Sequence, residues 1–355
     1  MLITKAGNGC SILTTVWGDR VHICVLNLAT ARRLLAQHRE DLNSISIDLK
    51  SIVPKGFLRT MEGEDHKTYR KLFSRAMAGS VARSAVTDVC VIIDQGVTGM
   101  LDGGTETEVQ RVLEQIALRV LIRTLVGVRS HTAAFDEIEQ QFRAMGPDGF
   151  VWKIGPSQRA AFKIIYNRLL ALITDANGEI GIDSNSVLGR LVNGDLIDST
   201  TIGNLIYMVE MGRSDFQSLF SWIVRFIGDD PSILRQAFSS QPPTSGVSRA
   251  QAVVLEALRM EQSIALMRSV KRDFVFDGLL IPKGAAVRIC LWEIHKAAST
   301  FEDALTFNSD RFLQREFSAD QFAPFGLGHH RCPAAEFTTQ IASLFVEAYA
   351  RARCV

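Results

Sequence analysis

The sequence lacks several patterns that identify common classes of protein. None of its six cysteines lies in a Cys-x-x-Cys pair, so the paired ligands of a structural zinc site are missing. No Gly-x-Gly-x-x-Gly follows a strand, which argues against a flavin or nicotinamide domain. The net charge of the 355 residues is +1, so charge alone favours neither nucleic acid nor a membrane surface as a partner.

A recognisable leader, an internal repeat and a low-complexity linker are also missing. The first residues, from Met1 to Gly7, contain no apolar stretch of the length of a signal peptide or membrane anchor. Scattered cysteines favour a reducing compartment. With 47% hydrophobic and 22% charged residues, the composition is typical of a soluble globular protein. We therefore expect a soluble cytoplasmic protein, whose 355 residues could form two average domains or one large one.

Helical periodicity dominates what is present, with a few short strands. The predicted helices are Ala31–His38 with Thr30 as N-cap, Val86–Leu101, Thr107–Val126, Ser157–Ala176, Ser199–Gly228, Arg249–Met260 and Ala334–Arg351. The predicted strands are Arg20–Leu26 and Phe274–Phe276, the second followed by a turn at Asp277-Gly278. Charged residues in the middle of Ser199–Gly228 indicate a buried core helix and not a membrane span. The expected class is mostly α with small β-sheets.

The most informative stretch is Phe325-Gly-Leu-Gly-His-His-Arg-Cys332, a cysteine on a glycine-rich loop beside basic side chains. Glycines allow a tight loop, and nearby positive charge favours the thiolate form of a cysteine. The run resembles the haem-binding loop of cytochrome P450 enzymes, F-G-x-G-x-H-x-C-x-G, with Ala334 in place of the last glycine. The resemblance implies haem b as cofactor and Cys332 as the thiolate ligand of its iron, with Phe325, Gly328 and His330 around the haem.

The cysteine has two other interpretations. A lone cysteine is often inert core packing. His330 and Cys332 could instead contribute to a zinc site, although the remaining cysteines are too scattered to complete one.

A second motif supports the resemblance. Glu256-x-x-Arg259 matches the E-x-x-R of the family, and its two charges share one helix face. Arg311, in a P-x-R-F-like segment, is the matching third member. We expect these residues to form one buried network that supports the fold and performs no chemistry. E-x-x-R is also common by chance. It supports the resemblance here because it precedes the cysteine loop, with Arg311 between them.

Four basic residues are predicted to hold the haem propionates. His66 and Arg70 match the H-x-x-x-R of the family and share one helix face at i and i+4. Arg268, which precedes a strand, and His330 would be the other two partners. The alternative is that these residues form a solvated basic face.

The oxygen-activating groove of the family reads [AG]-G-x-[DE]-T, and the matching residues here are Met211-Gly-Arg-Ser-Asp215. Gly212 keeps the glycine, whereas Ser214 stands where the acid belongs and Asp215 where the threonine belongs. One interpretation makes Asp215 the proton donor with Ser214 in support. Another is an enzyme that uses peroxide, and a third is a pair that no longer activates oxygen. Arg213 is predicted to be structural or surface-facing.

The resemblance covers Val21 to Ala350 and implies a single haem-thiolate domain over residues 1–355. Its fold would be the cytochrome P450 fold, which we expect to be truncated at both ends. It implies an oxidoreductase of the monooxygenase type that hydroxylates, couples or desaturates a small organic molecule, as in the tailoring of secondary metabolites. A ferredoxin-type electron donor is expected on a basic surface that comprises Lys67, Lys71, Arg75, Arg331, Arg351 and Arg353. The alternatives are a haem-thiolate peroxygenase or non-oxygenase without a redox partner, and a non-catalytic haem-binding module.

An apolar or aromatic substrate is expected from the segments that the resemblance places around the pocket. The apolar and aromatic character of these segments comes from Phe57, Phe150, Trp152 and Met211. The segments are Ser51–Met61, Phe142–Ile154, Tyr207–Asp215 and Ser263–Met267.

Overall fold

The computed structural model describes residues 11–44, 52–78, 81–101, 104–146, 155–174, 181–194, 197–228, 232–233, 246–261 and 264–354. These residues form two compact units. The sheet unit contains the described residues up to 44 and from 246 to 332, and the helical unit contains those from 52 to 233 and from 333 to 354. The expectation of one domain over residues 1–355 stays a prediction.

Seven strands lie in the sheet unit. They are β1 (Ile12–Trp17), β2 (Arg20–Val25), β3 (Leu42–Ser44), β4 (Leu266–Val270), β5 (Phe274–Phe276), β6 (Leu279–Ile281) and β7 (Ala286–Ile289). Five of them form a sheet in the order β1-β2-β7-β4-β3, in which only β2 and β7 run parallel. Strands β5 and β6 form a separate hairpin whose two-residue turn has positive φ at Asp277 and Gly278, as this tight turn type requires.

Helices account for most of the described residues, as expected. They are α1 (Leu28–Gln37), α2 (Gly63–Ala76), α3 (Val81–Ser84), α4 (Val86–Leu101), α5 (Glu106–Leu121), α6 (Ala133–Ala144), α7 (Pro156–Thr174), α8 (Val187–Val192), α9 (Ser199–Ile227), α10 (Arg249–Met260), α11 (Leu291–Ile294), α12 (Asp310–Gln314) and α13 (Ala335–Cys354). A π-helical turn, Ile122–Val126, follows α5. Helices α1 and α10 to α12 belong to the sheet unit and the others to the helical unit.

The predicted cap of the first helix is wrong. Helix α1 begins at Leu28, two residues before Thr30, and its N-cap is Asn27, whose side chain accepts a hydrogen bond from the backbone N–H of Thr30. Asn27 follows the end of β2 closely, so the short connection starts the helix earlier than its apolar pattern suggests. Helix α10, by contrast, has the predicted bounds.

Each unit has its own apolar core. In the sheet unit, Val25, Leu34 and Val287 belong to one cluster of buried side chains that extends to Leu327, inside the cysteine loop. The loop is therefore anchored by its own leucine. In the helical unit, α9 packs against α5 and α13, and the rings of Phe220 and Phe345 stack at 4.2 Å.

Among the described residues, no single helix has both the length and the apolar composition of a membrane span. One bent pair, Gly63–Ser84 with Val86–Leu101, satisfies both criteria when its two parts are taken together.

Candidate active site

The cysteine loop of the sheet unit is closed by its own backbone. The backbone N–H of Cys332 donates to the carbonyl of Phe325 at 2.9 Å, so the two ends of the motif meet. Gly326 and Gly328 have φ of 80° and 68°, a left-handed conformation that favours glycine. A Cβ built on either glycine would have no other atom within 4 Å. Cys332 itself is half-buried.

Glu256, Arg259 and Arg311 form the predicted buried network. Arg259 donates to both carboxylate oxygens of Glu256 at 2.7 Å, and the Nε of Arg311 donates to Glu256 Oε1 at 3.1 Å. The Glu256 and Arg259 side chains are completely buried. A further bond comes from the backbone N–H of Asn308, at 2.8 Å from the carboxylate. The prediction of one network is confirmed.

His295 connects this network to the cysteine loop, a role that the sequence analysis missed. Its carbonyl accepts from Arg259 at 2.8 Å, and its ring Nε2 accepts from the backbone N–H of Ala323 at 3.0 Å. Burial lowers the pKa of His295 to about 3, and the charges of Arg259 and Lys296 act in the same direction. The ring is therefore neutral and able to accept at Nε2. A lone histidine outside any motif gives no sequence signal for such a contact.

Arg268 and His330, two of the predicted propionate partners, both border Ser44. Arg268 lies on β4 directly opposite Ser44 of β3, and the Ser44 hydroxyl is 3.4 Å from His330 Nε2. Arg268 is 6% exposed, and one of its guanidinium nitrogens donates to the carbonyl of Met267. The sheet thus gathers two basic side chains and a hydroxyl, a donor set that suits a carboxylate.

His66 and Arg70 lie on α2 in the helical unit, where the spacing predicted them. Both side chains share one face, with His66 buried and Arg70 half-buried. The interpretation as a wholly solvated basic face does not hold for His66, which is 2% exposed. Their role toward a propionate stays a prediction.

The basic residues expected to attract an electron donor are exposed. In the helical unit these are Lys67, Lys71, Arg75, Arg351 and Arg353, and in the sheet unit Arg331. Lys67 pairs with Glu64, and Arg351 pairs with Asp94 at 2.9 Å. Exposed pairs of this kind contribute little to stability.

Asp215 lies on α9, and its side chain is accessible to solvent. Desolvation nevertheless raises its pKa to about 6, opposed by the charge of Arg59. It can therefore hold and release a proton near neutral pH. Ser214 is half-buried beside it.

Arg213 is structural, as expected, but it is not surface-facing. It is 1% exposed and donates to the carbonyls of Phe142 and Gly146, where α6 ends. It also pairs with Glu210 at 2.8 Å and with Glu114 at 3.4 Å. Its position in the helix directs it into the packed side of α9, where the last carbonyls of α6 need donors.

Gly212 has a packing role in the structure. A Cβ built on Gly212 would lie 3.1 Å from a methyl of Leu121, so the glycine permits the close approach of α9 and α5. The predicted role of Gly212 in oxygen activation stays a prediction.

A loop before α2 is clamped onto α9, a feature that the sequence did not indicate. The side chain of Asn204 accepts from the N–H of Leu58 at 2.6 Å and donates to the carbonyl of Gly56 at 3.2 Å. The ring of Phe57 stacks on Tyr207 with centroids 4.1 Å apart. The clamp brings Arg59 to the same helix, and Arg59 hydrogen-bonds to the Tyr207 hydroxyl. These residues are far apart in sequence and follow no motif.

The predicted pocket segments are only partly described. Phe57 is buried and Met211 is half-buried, whereas Phe150 and Trp152 lie outside the described residues. So do Ser51, Ser263 and the rest of residues 147–154.

Comparison with known proteins agrees with the motifs. The family model described as Cytochrome P450 matches residues 248–349, which contain both the E-x-x-R helix and the cysteine loop. Abscisic acid 8'-hydroxylase 3 of Oryza sativa subsp. indica is 26% identical over 304 residues, covering 78% of this chain and 60% of the relative. Ent-kaurenoic acid oxidase 1 of Hordeum vulgare is 25% identical over 335 residues, covering 83% of this chain and 66% of the relative. The chain thus spans about three fifths to two thirds of the length of these plant enzymes.

Solved structures share the fold over nearly the whole chain. A cyanobacterial cytochrome P450 with bound retinoic acid has a TM-score of 0.72 at 18% identity, covering 98% of this chain and 88% of the other. A zebra fish cytochrome P450 with progesterone has a TM-score of 0.71 at 16% identity, covering 97% of this chain and 89% of the other. The mostly helical fold with small sheets is therefore the cytochrome P450 fold, which binds haem. The family model, the plant relatives and the shared fold together support membership of the cytochrome P450 family.

Proposed function

We propose that this protein is a haem-thiolate oxidoreductase of the monooxygenase type that oxidises a small organic molecule. The observation that carries the proposal is the closed loop between Phe325 and Cys332, with its two left-handed glycines. Such a loop presents a thiolate from a fixed backbone. The plant relatives are named as a hydroxylase of abscisic acid and an oxidase of ent-kaurenoic acid, which supports a small organic substrate.

The residues present fit a haem. A Cβ built on Gly326 or Gly328 would meet no atom within 4 Å, so the loop has room on the side of its glycines for a flat group. Arg268, His330 and Ser44 supply donors for a carboxylate within the same unit. The haem would supply the oxidative chemistry when bound, and the thiolate of Cys332 would hold its iron.

The remaining residues would bind the haem, support the cysteine loop and move protons. Arg268 and His330, with His66 and Arg70, would hold the propionates by charge-assisted hydrogen bonds. The Glu256 network fixes the segments behind the cysteine loop. Asp215 would hold a proton at its carboxyl group and deliver it to the reacting centre, with Ser214 in support.

The thiolate is tested by the absorption of the reduced protein with carbon monoxide. Wild-type protein should show the red-shifted Soret band that gives the family its name, and Cys332→Ser should abolish it. Cys354→Ser, which changes an exposed cysteine at the end of α13, is the matched control and should leave the band in place. Folded, haem-loaded wild-type protein without the band would refute the assignment.

The role of Asp215 is tested by turnover. Asp215→Asn should slow it roughly 10²–10⁴-fold, the usual contribution of a general acid, with haem content and ligand binding nearly unchanged. Ser214→Ala should cost less. The assay is run with an electron donor and, separately, with hydrogen peroxide. Wild-type rates in Asp215→Asn under both conditions would show that Asp215 does not deliver the proton.

The same assay separates the proposal from its alternative, a peroxygenase or non-oxygenase that needs no redox partner. The exchanged order of Ser214 and Asp215 favours this alternative. Turnover with reduced nicotinamide and a surrogate ferredoxin would support the monooxygenase. Turnover with peroxide alone would support the alternative.

We propose three further features of this activity. They are an apolar or aromatic substrate, a place in the tailoring of secondary metabolites, and a ferredoxin-type electron donor. Phe57 supports the first of these, and the exposed basic side chains of α2 and α13 support the last. Electron transfer that does not slow with added salt, or with Lys71→Gln, would contradict an electrostatically guided donor. A protein that binds haem but gives no specific spectral shift with any small molecule would be a non-catalytic module.

A further inference from the structure

Helix α2, which carries His66 and Arg70, is tied to α9 through the residues that directly precede these two. Asp65 and Tyr69 are four residues apart, as are His66 and Arg70, so each pair lies on one face of α2. With 3.6 residues per turn, neighbouring residues differ by about 100° around a helix. A restraint on the face of Asp65 and Tyr69 therefore fixes the direction in which His66 and Arg70 leave the helix.

Tyr69 makes the first tie, to the start of α9. Its hydroxyl donates to Asp198 Oδ2 at 2.5 Å. The other carboxylate oxygen of Asp198 accepts from the N–H and the hydroxyl of Thr201, at 2.7 Å and 2.8 Å, and so caps α9. Tyr69 is 5% exposed, and burial together with the bond to Asp198 raises its pKa, so the hydroxyl keeps its proton. The carboxylate that begins α9 thus also holds the middle of α2.

Lys55 makes the second tie, from the loop that precedes α2. Its Nζ lies 3.0 Å from Asp65 Oδ1 and 5.3 Å from the centre of the Tyr69 ring, so one cation contacts both residues of the face. The next residue, Gly56, is held on α9 because its carbonyl accepts from Asn204 at 3.2 Å. Both ties therefore lead to α9. The pair of Lys55 and Asp65 is exposed and contributes little by itself, so most of the restraint comes from Tyr69.

Apolar packing alone would leave the rotation of α2 about its axis less defined. The buried side chains of this helix are those of His66, Tyr69, Phe73 and Ala76. Hydrophobic contact is non-directional, whereas a hydrogen bond has a preferred distance and angle. The Tyr69 hydroxyl adds such a direction to the buried face.

We propose that Tyr69 is the positioning residue for His66 and Arg70: its hydrogen bond to Asp198 fixes the rotation of α2 and so directs these two basic side chains toward the haem propionates. The proposal rests on the proposed function, which assigns the propionates to His66 and Arg70. Tyr69 acts through these residues and not by contact with the haem. Charge-assisted hydrogen bonds depend on distance and angle, so a small rotation of α2 weakens them.

The test is the rate at which the ferric, haem-loaded protein loses haem to an excess of a haem-scavenging apoglobin. Tyr69→Phe keeps the buried ring but removes the hydroxyl, and it should speed the loss roughly 2–10-fold, the range of one net hydrogen bond. Asp198→Ser should have the same effect, because serine still caps α9 but is too short to reach Tyr69. The double variant should lose haem no faster than either single variant.

Tyr349→Phe is the matched control. Tyr349 lies in the same unit and is 2% exposed, and its hydroxyl donates at 3.3 Å to the carbonyl of Gly228, at the other end of α9. The substitution removes a comparable hydrogen bond without changing the ties of α2. Haem loss at the wild-type rate in Tyr69→Phe, or an equal acceleration in Tyr349→Phe, would overturn the proposal.

Two further measurements separate positioning from a general role in folding. When Arg70 is already changed to Gln, Tyr69→Phe should speed haem loss by a smaller factor, since one of the two positioned side chains is missing. The resonance Raman band of the haem propionates should shift in Tyr69→Phe in the same direction as in Arg70→Gln, and should stay in place in Tyr349→Phe. The same factor in both backgrounds, or a wild-type band in Tyr69→Phe, would show that Tyr69 supports the fold alone.

The outcomes distinguish this proposal from the proposed function. Folded, haem-loaded wild-type protein without the red-shifted Soret band would refute the proposed function. Wild-type protein with the band, together with unchanged haem loss in Tyr69→Phe, would refute the positioning role alone. If Tyr69→Phe does not fold, Asp198→Ser provides the same test, because it leaves Tyr69 and its packing in place.

Discussion

Two buried pairs with the same spacing behave in opposite ways. Glu256-x-x-Arg259 on α10 and Glu210-x-x-Arg213 on α9 both place a carboxylate and a guanidinium one turn apart in the interior. In the first, two arginines serve one carboxylate, and both of its oxygens are bonded. In the second, Glu210 and Glu114 share one arginine, and Glu210 Oε1 has no hydrogen-bond partner among the described residues.

The count of charges, and not the motif, decides what each pair does. Burial raises the pKa of Glu210 to about 7, opposed by Arg213 and assisted by Glu114. This pair therefore changes its charge near neutral pH. The Glu256 pair is completed by Arg311 and by the backbone N–H of Asn308, so the removal of any member leaves buried charge without compensation. The first pair is a fixed support, and the second is sensitive to pH.

The largest effect is expected from breaking the first pair. Glu256→Ala leaves Arg259 and Arg311 buried without their carboxylate, which should cost on the order of 3–5 kcal/mol of unfolding free energy and release the haem. Urea unfolding and the haem content of purified protein measure both effects. Glu316→Gln changes an exposed glutamate of the same unit and should change neither. A stable, haem-replete Glu256→Ala would show that the network is dispensable.

The difference between the two pairs also shows how far the sequence predicts this structure. The Glu256 pair was recognised because Arg311 and the cysteine loop follow it in a known order. The Glu210 pair, with identical spacing, was not, since its partners Glu114, Phe142 and Gly146 come from elements that only packing brings together. Helix bounds followed the apolar pattern closely, as in Arg249–Met260. The role of His295 and the Asn204 clamp depends on long-range hydrogen bonds for which local sequence carries no signal.

A smaller effect should come from the link between the first pair and the cysteine loop. His295→Leu leaves the N–H of Ala323 buried without an acceptor, at a cost of about 1–3 kcal/mol. The pH dependence is specific. Because the pKa of His295 is lowered from 6.5 to about 3, the wild-type protein should lose this part of its stability as pH falls through that interval, where only the unfolded state binds the proton.

Urea midpoints measured from pH 7 down to pH 4 test this link, with haem content as the second readout. His295→Leu should be less stable at pH 7 and should lose less on acidification than the wild type. An acid dependence identical to that of the wild type would contradict a neutral, buried imidazole at this position.

The smallest effect on stability is expected at the second pair, and its pH dependence is opposite to that of His295. The pKa of Glu210 is raised from its ordinary value of 4.5 to about 7, so between these values the folded state holds a proton that the unfolded state has released. The stability that the protonated Glu210 contributes is therefore complete below pH 4.5 and declines as pH rises through 7. Glu210→Gln keeps the shape and the hydrogen bond to Arg213 but cannot ionise, so it should flatten the decline, while the carbonyls of Phe142 and Gly146 still hold the guanidinium. Urea midpoints at pH 5.5 and pH 8 measure the difference, with Glu316→Gln as control. If Glu210→Gln loses as much stability between these values as the wild type, the second pair is as fixed as the first and the contrast between them fails.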